Sequence, residues 1–211
     1  MSAATAAAPV AIHRPVPPEE AARADFYALL ARLFADPPDG ALLGALAAAE
    51  PIPQDGDPGL ARAWLALVQA SSAMDPDAAA EEYEVLFVGT GKSEVSLYAG
   101  FYGGAPAIDH PRVRIQADLA ALGLERRSPV NEPEDHYAGL FEAMRVLVAG
   151  GAGRQPATVA EQRRFHEAHL KPGVARFFAA LAQAPHANFY RQVAAVGGAF
   201  TAIESELFRL D

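Results

Sequence analysis

Apolar residues recur at helical spacing along most of this chain, and this pattern constrains the fold more than any other feature. Side chains at positions i, i+3, i+4 and i+7 lie on one face of an α-helix, so each stripe predicts a helix with one buried side. No strand-like alternation extends beyond a few residues. The sequence therefore predicts an all-α fold. The clearest stripe consists of Tyr137, Leu140, Phe141, Met144, Leu147 and Val148.

Proline and glycine mark the predicted helix ends, because proline suits the first helical turn and glycine suits the residue after the last. Pro172 and Gly173 interrupt a long apolar pattern and predict a break there. The stretch 88–109, rich in glycine and aromatic residues, predicts an ordered loop with one helical turn. We expect about eight to ten helices from these signals. The predicted helical segments are 19–35, 41–49, one around Trp64, 75–88, 111–122, 137–149, 158–184 and 187–210.

A chain of 211 residues with 51% hydrophobic composition can bury the core of one domain. We expect a single helical domain at 19–211, after a disordered tail at 1–18. Glycine, proline and charged residues near 123–133 predict a hinge between two lobes, 19–123 and 133–211. We expect a monomer, with a domain-swapped dimer as the alternative, since glycine-rich joints permit exchange of helices between protomers.

The charge and composition exclude several classes of protein. A formal net charge of -9 and the lack of a Lys/Arg-rich stripe argue against a nucleic-acid partner and suit a basic one. The absence of cysteine excludes disulfides, thiolate metal sites and cysteine nucleophiles. No stretch approaches the roughly 18 continuous apolar residues that a membrane helix requires. We therefore expect a cytoplasmic protein that does not insert into membranes.

The segment V-G-T-G-K-S, which ends at Ser93, resembles the end of a phosphate-binding loop. Such a loop needs the pattern G-x-x-x-x-G-K-[ST], and Leu86 stands where its first glycine belongs. The preceding residues favour a helix rather than the required strand. We therefore interpret the segment as the glycine stop of a helix. A nucleotide-dependent switch, with GTP contacts at Gly89, Gly91 and Lys92, stays as an alternative hypothesis.

Two histidine motifs suggest an enzyme or a metal-binding protein as the rival hypothesis. His166 and His169 stand three residues apart in H-E-A-H, whereas the zinc-protease motif places its histidines four apart on one helical face. Asp135 and His136 are adjacent and could act as an acid–base pair. Neither motif has an evident nucleophile or third ligand, so we expect no catalytic residue and no metal site.

An acidic cluster and an aromatic segment are candidates for a binding surface. Acids before the helix at Tyr137 are also favoured there by the exposed N–H groups of its first turn. The aromatic segment suits either core packing or an apolar groove for a peptide, and helical spacing does not separate these two interpretations. The acidic residues are Glu132, Glu134 and Asp135. The aromatic segment contributes Tyr83, Leu86, Phe87, Leu97, Tyr98, Phe101 and Tyr102.

The ordered motifs of the chain resemble the TorD/DmsD/NarJ family of redox-enzyme maturation chaperones. These motifs are Y-E-V-L-F-V-G-T-G at 83–91, S-L-Y-A-G-F-Y at 96–102, N-E-P-E-D-H-Y at 131–137, F-H-E-A-H-L-K-P at 165–172 and N-F-Y-R-Q-V-A at 188–194. The resemblance runs from about Glu19 to the C-terminus, because the motifs keep the order and spacing of the family. Gly100 and Gly173 depart from it, since the family often has serine and tryptophan there.

This resemblance implies an all-helical, non-enzymatic, cytoplasmic chaperone. Such chaperones bind the twin-arginine leader or the apo form of a molybdenum or tungsten oxidoreductase, and they assist insertion of its molybdopterin cofactor. L-A-A-L-G-L-E-R at 119–126 looks most like the branch associated with formate dehydrogenase. The chaperone itself would carry no cofactor. A leader receptor needs carboxylates for guanidinium groups and an apolar groove. We therefore predict leader contacts at Tyr83, Leu86, Phe87, Leu97, Tyr98, Tyr102, Glu132, Glu134, Asp135 and His136.

Overall fold

A computed structural model describes residues 17–53, 56–89, 92–103, 111–124, 133–151 and 153–210. Within these ranges the chain forms ten α-helices and no β-strand, which confirms the all-α prediction. The predicted tail up to residue 16, and most of the predicted hinge, lie outside the described residues. The helices are α1 (Pro18–Ala35), α2 (Gly40–Ala47), α3 (Pro58–Ala73), α4 (Pro76–Tyr83), α5 (Ala99–Tyr102), α6 (Pro111–Ala121), α7 (Tyr137–Ala149), α8 (Val159–Phe165), α9 (Val174–Gln183) and α10 (Phe189–Leu210).

The local sequence accounts for most helix starts. Asp39, Asp57 and Asp75 each accept a hydrogen bond from the first turn of the following helix, which satisfies backbone amides that have no partner inside the helix. Thr158 and Glu161 form a reciprocal capping box at the start of α8. These caps explain why the starts of α4 and α8 agree with their predicted positions to within one residue.

Two helices end in a wider, π-helical turn. α4 continues through Glu84–Val88 in this form, and α8 continues through His166–Leu170. The predicted break at Pro172 and Gly173 is confirmed, because α9 begins only at Val174. Both π-helical turns lie inside the motifs that carry the family resemblance, and such turns are frequent at functional sites.

One hydrophobic core joins the two halves of the chain. α1 packs along α7, and α10 packs against both α3 and α9. Phe34 lies at the centre, with its ring 5.1 Å from that of Phe177 and 6.1 Å from that of Phe141. All three side chains are fully buried. Burial of large aromatic side chains is the main stabilising term for such a core.

The start of α10 differs from the prediction by two residues. The helix was expected from Ala187 and begins at Phe189. The amides of Asn188, Phe189 and Tyr190 donate to the carboxylate of Glu82 on α4, at 2.8, 3.1 and 2.8 Å. A carboxylate from a distant helix therefore caps α10, and the local sequence holds no signal for it.

Candidate functional site

Two of the sequence motifs meet at a short antiparallel backbone contact. The amide of Ala99 donates to the carbonyl of Asp135 at 2.8 Å, and the amide of Tyr137 donates to the carbonyl of Leu97 at 2.9 Å. These bonds pair Tyr98 with His136 just before α5 and α7 begin. The structure thus brings S-L-Y-A-G-F-Y and E-D-H-Y into direct contact.

The carboxylate of Asp135 binds a guanidinium group at this contact. Asp135 is 3% exposed. Its Oδ1 accepts a hydrogen bond from Nε of Arg112 at 2.8 Å, and its Oδ2 accepts one from the amide of Gly100 at 3.3 Å. Charge-assisted hydrogen bonds of this kind are stronger than neutral ones. The buried charge of Asp135 is therefore compensated by a cation and a backbone dipole.

His136 caps α7 rather than forming an acid–base pair with its neighbour. Its Nδ1 accepts a hydrogen bond from the amide of Ala138 at 3.3 Å, which requires the neutral ring with Nδ1 unprotonated. The imidazole packs edge-on against the ring of Tyr98, with 5.4 Å between the ring centroids. Asp135 and His136 thus serve different partners, and this arrangement does not favour the enzymatic hypothesis.

Two exposed side chains, Phe101 and Arg112, belong to the two helices whose residues bond to the buried Asp135. The Phe101 side chain is 75% exposed, and the Arg112 side chain is 56% exposed. The guanidinium carbon of Arg112 lies 6.0 Å from the centre of the Tyr98 ring, within the range of a cation–π contact. We call this surface the Asp135 junction. It consists of Tyr98, Gly100, Phe101, Arg112, Asp135 and His136.

The other acidic candidates are only partly described. Glu134 is half-buried beside Asp135 and makes no ion pair with any residue that the structure describes. Glu132 lies outside the described residues. Their predicted role in binding a leader stays a prediction.

Most of the predicted apolar contacts lie in the hydrophobic core rather than at the surface. Phe87 packs against Tyr190 with 5.0 Å between the ring centroids, and Tyr102 packs against Phe177 with 5.7 Å. These side chains belong to the hydrophobic core, so Tyr98 and Phe101 are the aromatic rings that face outward. The buried members of the predicted set are Tyr83, Leu86, Phe87, Leu97 and Tyr102.

Gly89 ends the π-helical turn that follows α4. Its φ of 64° lies in the left-handed region that favours glycine, and its amide donates to the carbonyl of Glu84 at 2.7 Å. The helix precedes the glycines, whereas a phosphate-binding loop follows a strand. Lys92 is exposed, and Gly91 lies outside the described residues. The interpretation as a helix stop is confirmed, and nucleotide contact stays a prediction.

His166 and His169 have separate environments in the second π-helical turn. Nε2 of His169 lies 2.7 Å from a carboxylate oxygen of Asp118 on α6. His166 is fully buried against Phe208, and its two ring nitrogens have no hydrogen-bond partner within the described chain. Burial lowers the pKa of His166 to about 4. Among the described residues no group of three or more His, Asp or Glu side chains could hold a metal ion.

Arg112 is the main functional candidate that the sequence did not indicate. It stands 23 positions before Asp135, and an isolated arginine near a helix start is unremarkable in a sequence. The sequence likewise gives no sign of the partners of Glu204. Its buried carboxylate accepts hydrogen bonds from Arg23 at 2.7 and 2.8 Å and from the Tyr27 hydroxyl at 2.9 Å. Only the packing of distant helices reveals these partners.

A family model described as the nitrate reductase delta subunit matches residues 54–179, which include the whole Asp135 junction. The chain belongs to this family. The nitrate reductase delta family comprises NarJ/TorD-type chaperones that assist the maturation of molybdoenzymes and bind their catalytic subunits. No curated protein matched the chain. In the part of the chain that the structure describes, every helix is too short or too polar to span a bilayer.

Proposed function

We propose that this member of the nitrate reductase delta family is a non-enzymatic, cytoplasmic chaperone for a molybdenum or tungsten oxidoreductase. It binds the N-terminal twin-arginine leader, or the apo form, of its client and assists cofactor insertion before export or assembly. The observation that carries this proposal is the bond between Asp135 and Arg112, because the junction already binds one guanidinium group. A leader arginine presents the same group.

The surroundings of Asp135 match the chemistry of a leader peptide. An arginine pair needs carboxylates, and Asp135 and the half-buried Glu134 supply them. The apolar stretch of a leader needs an exposed ring, which Phe101 supplies. The net charge of -9 also accelerates the capture of a basic peptide. We therefore assign leader binding to the Asp135 junction.

We further propose formate dehydrogenase as the client, on the basis of the motif at 119–126 and of N-E-P-E-D-H at 131–136. Co-expression with the catalytic subunits of formate dehydrogenase and of nitrate reductase tests this choice. The chaperone should co-purify with apo-formate dehydrogenase and raise its molybdopterin content. Equal enrichment of both enzymes would contradict the choice of client without affecting the site.

Isothermal titration of a synthetic twin-arginine leader peptide tests the site itself. Asp135→Asn keeps the size of the side chain but removes the negative charge, so we expect at least about a tenfold loss of affinity, typical of a charged hydrogen bond. Glu142→Gln is the matched control, because it removes an exposed carboxylate from α7 that pairs with Arg145. Equal affinities of the wild type and Asp135→Asn would contradict the site assignment.

A further inference from the structure

The bond between Arg112 and Asp135 has a consequence for leader binding. We propose that Arg112 is an internal competitor of the leader: its guanidinium group occupies the position that a leader arginine needs, and it must leave before the peptide binds. Arg112 then sets the affinity of the junction. This inference rests on the proposed function and adds a residue that controls it.

The geometry leaves little room for two guanidinium groups on Asp135. The side chain is 5% exposed, and its Oδ2 accepts from the amide of Gly100 at 3.3 Å. Its Oδ1 accepts from Nε of Arg112 at 2.8 Å. A second guanidinium that seeks a direct, charge-assisted bond must therefore compete with Arg112 for the little of the carboxylate that stays exposed. Competition follows from the burial of the carboxylate.

Arg112 is placed so that it can leave at low cost. Its side chain is 56% exposed, so the freed guanidinium regains water without a change in the core. The released guanidinium also leaves the Tyr98 ring, whose centre lies 6.0 Å from the guanidinium carbon while the pair is formed. A leader arginine entering at Oδ1 would find the same ring.

α6 is held mainly at points beyond Arg112. Ile115 is the one fully buried side chain among the described side chains of this helix. Asp118 bonds to His169 at 2.7 Å, and the guanidinium of Arg154 donates to the carbonyl of Leu122 just past the helix end. Release of Arg112 therefore removes one contact from the first turn of α6, while the later contacts keep the helix in place.

Competition by Arg112 lowers the affinity of the protein for a leader peptide by a factor that can be calculated. A peptide that binds only when Arg112 has left loses affinity by the fraction of time that Asp135 is open. If the pair is closed nine-tenths of the time, this loss is about tenfold. The factor is the same for every cationic peptide that uses Oδ1, because it belongs to the protein. A direct contact between Arg112 and the peptide would instead depend on the peptide sequence.

Peptide titrations of Arg112 variants test this inference. Two synthetic peptides are used, one with an arginine pair before an apolar stretch and one with a lysine pair instead. Arg112→Gln should raise the affinity of both peptides by about the same factor, on the order of tenfold. Arg112→Lys keeps the positive charge but lacks the Nε donor, so it should raise both affinities to an intermediate value. Arg145→Gln is the control, since it removes one charge from the exposed pair with Glu142.

The outcomes separate competition from simple charge effects. If Arg112→Gln binds more tightly but Arg112→Lys equals the wild type, long-range charge explains the gain and the inference fails. Unchanged or weaker binding by Arg112→Gln also overturns it. The double variant Arg112→Gln, Asp135→Asn should show no gain over Asp135→Asn alone. If neither the wild type nor any variant binds either peptide, the proposed function fails instead.

Hydrogen exchange on the wild-type protein gives a second test that needs no variant. The amides of Ile115 and Gln116 bond to the carbonyls of the first turn of α6. They should exchange faster when the arginine peptide is bound, because that turn loses the contact from Arg112. Amides near Asp118 should keep their rate, since the bond to His169 is retained. Slower exchange around Arg112 on peptide binding would overturn the inference.

Discussion

The hydroxyl of Tyr190 donates to the backbone carbonyl of Leu33 at 2.8 Å, which ties the first turn of α10 to the last turn of α1. Tyr83 makes the equivalent bond to the next carbonyl, that of Phe34, at 3.1 Å. The final carbonyls of a helix have no partner within it, so these bonds satisfy groups that would otherwise be buried without one. Two family-motif tyrosines thus fix α4 and α10 on the end of α1.

Tyr190→Phe should destabilise the protein by about 1–3 kcal/mol, because it leaves the carbonyl of Leu33 buried without a donor. Tyr137→Phe is the matched control. Tyr137 is as fully buried as Tyr190, but its hydroxyl has no hydrogen-bond partner within the described residues. Its removal should leave stability unchanged or raise it. Urea unfolding, monitored by circular dichroism, measures both changes in the free energy of unfolding. Equal losses of stability in the two variants would contradict a stabilising role for the bond between Tyr190 and Leu33.

Arg23 should matter more for stability than other arginines. Its guanidinium binds the buried carboxylate of Glu204, so Arg23→Met leaves a buried negative charge without its cation. We expect a loss of about 3–5 kcal/mol in the free energy of unfolding. Arg209→Met removes an exposed partner of Glu206 and should cause no measurable change. Similar unfolding curves for the two variants would show that the buried pair does not stabilise the fold.

We expect the free energy of unfolding to fall in acid because of the buried His166. Burial lowers its pKa to about 4 in the folded protein, against about 6.5 in an unfolded chain. As the pH falls from about 6.5 to about 4, the unfolded chain binds a proton that the folded protein does not, so stability falls by about 3 kcal/mol and then levels off.

The variant His166→Phe isolates this effect, because carboxylates also titrate in the same range. The difference in unfolding free energy between wild type and variant should change between pH 7 and pH 4, with the variant favoured in acid. A constant difference between the wild type and His166→Phe across this range would contradict the role of His166.

Gly197 is required for the close approach of α9 and α10. A Cβ at this position would overlap the ring of Phe178, so Gly197→Ala should destabilise the protein by about 1–3 kcal/mol. At the next residue, Gly198, the nearest side-chain atom lies 3.8 Å from an added Cβ. Gly198→Ala should therefore stabilise α10 by up to about 1 kcal/mol through helix propensity. The midpoint temperature of thermal unfolding should fall for Gly197→Ala and rise for Gly198→Ala. A shift in the same direction for both variants would contradict the close contact between position 197 and the Phe178 ring.

The helices themselves were predictable because their signals are local. Asp75 and Pro76 start α4, Gly89 ends its π-helical continuation, and Gly150 follows α7 with a φ of 77°. Caps, proline and glycine act within a few residues, and apolar stripes repeat within one helix. The start of α10 was missed for the opposite reason, since its cap is Glu82, more than a hundred positions away.

The candidate site was predictable only in part. The sequence brought Tyr98, Asp135 and His136 together as motifs of one family, and the backbone contact between residues 98 and 136 places them side by side. The choice between core and groove was left open for the aromatic segment. The structure places Phe87 and Tyr102 in the core and exposes Phe101, because α1, α9 and α10 cover the first two rings.

By itself the sequence determined that this chain is helical, where most of its helices begin and end, and which chaperone family it belongs to. These properties depend on short-range periodicity, on backbone caps and on the order of motifs. Only the tertiary structure decided that Arg112 binds Asp135, that Arg23 binds Glu204 and that His166 is buried without a hydrogen bond to any described residue. Such contacts arise when distant helices pack against each other, and the residues near each partner in the chain carry no signal of that packing.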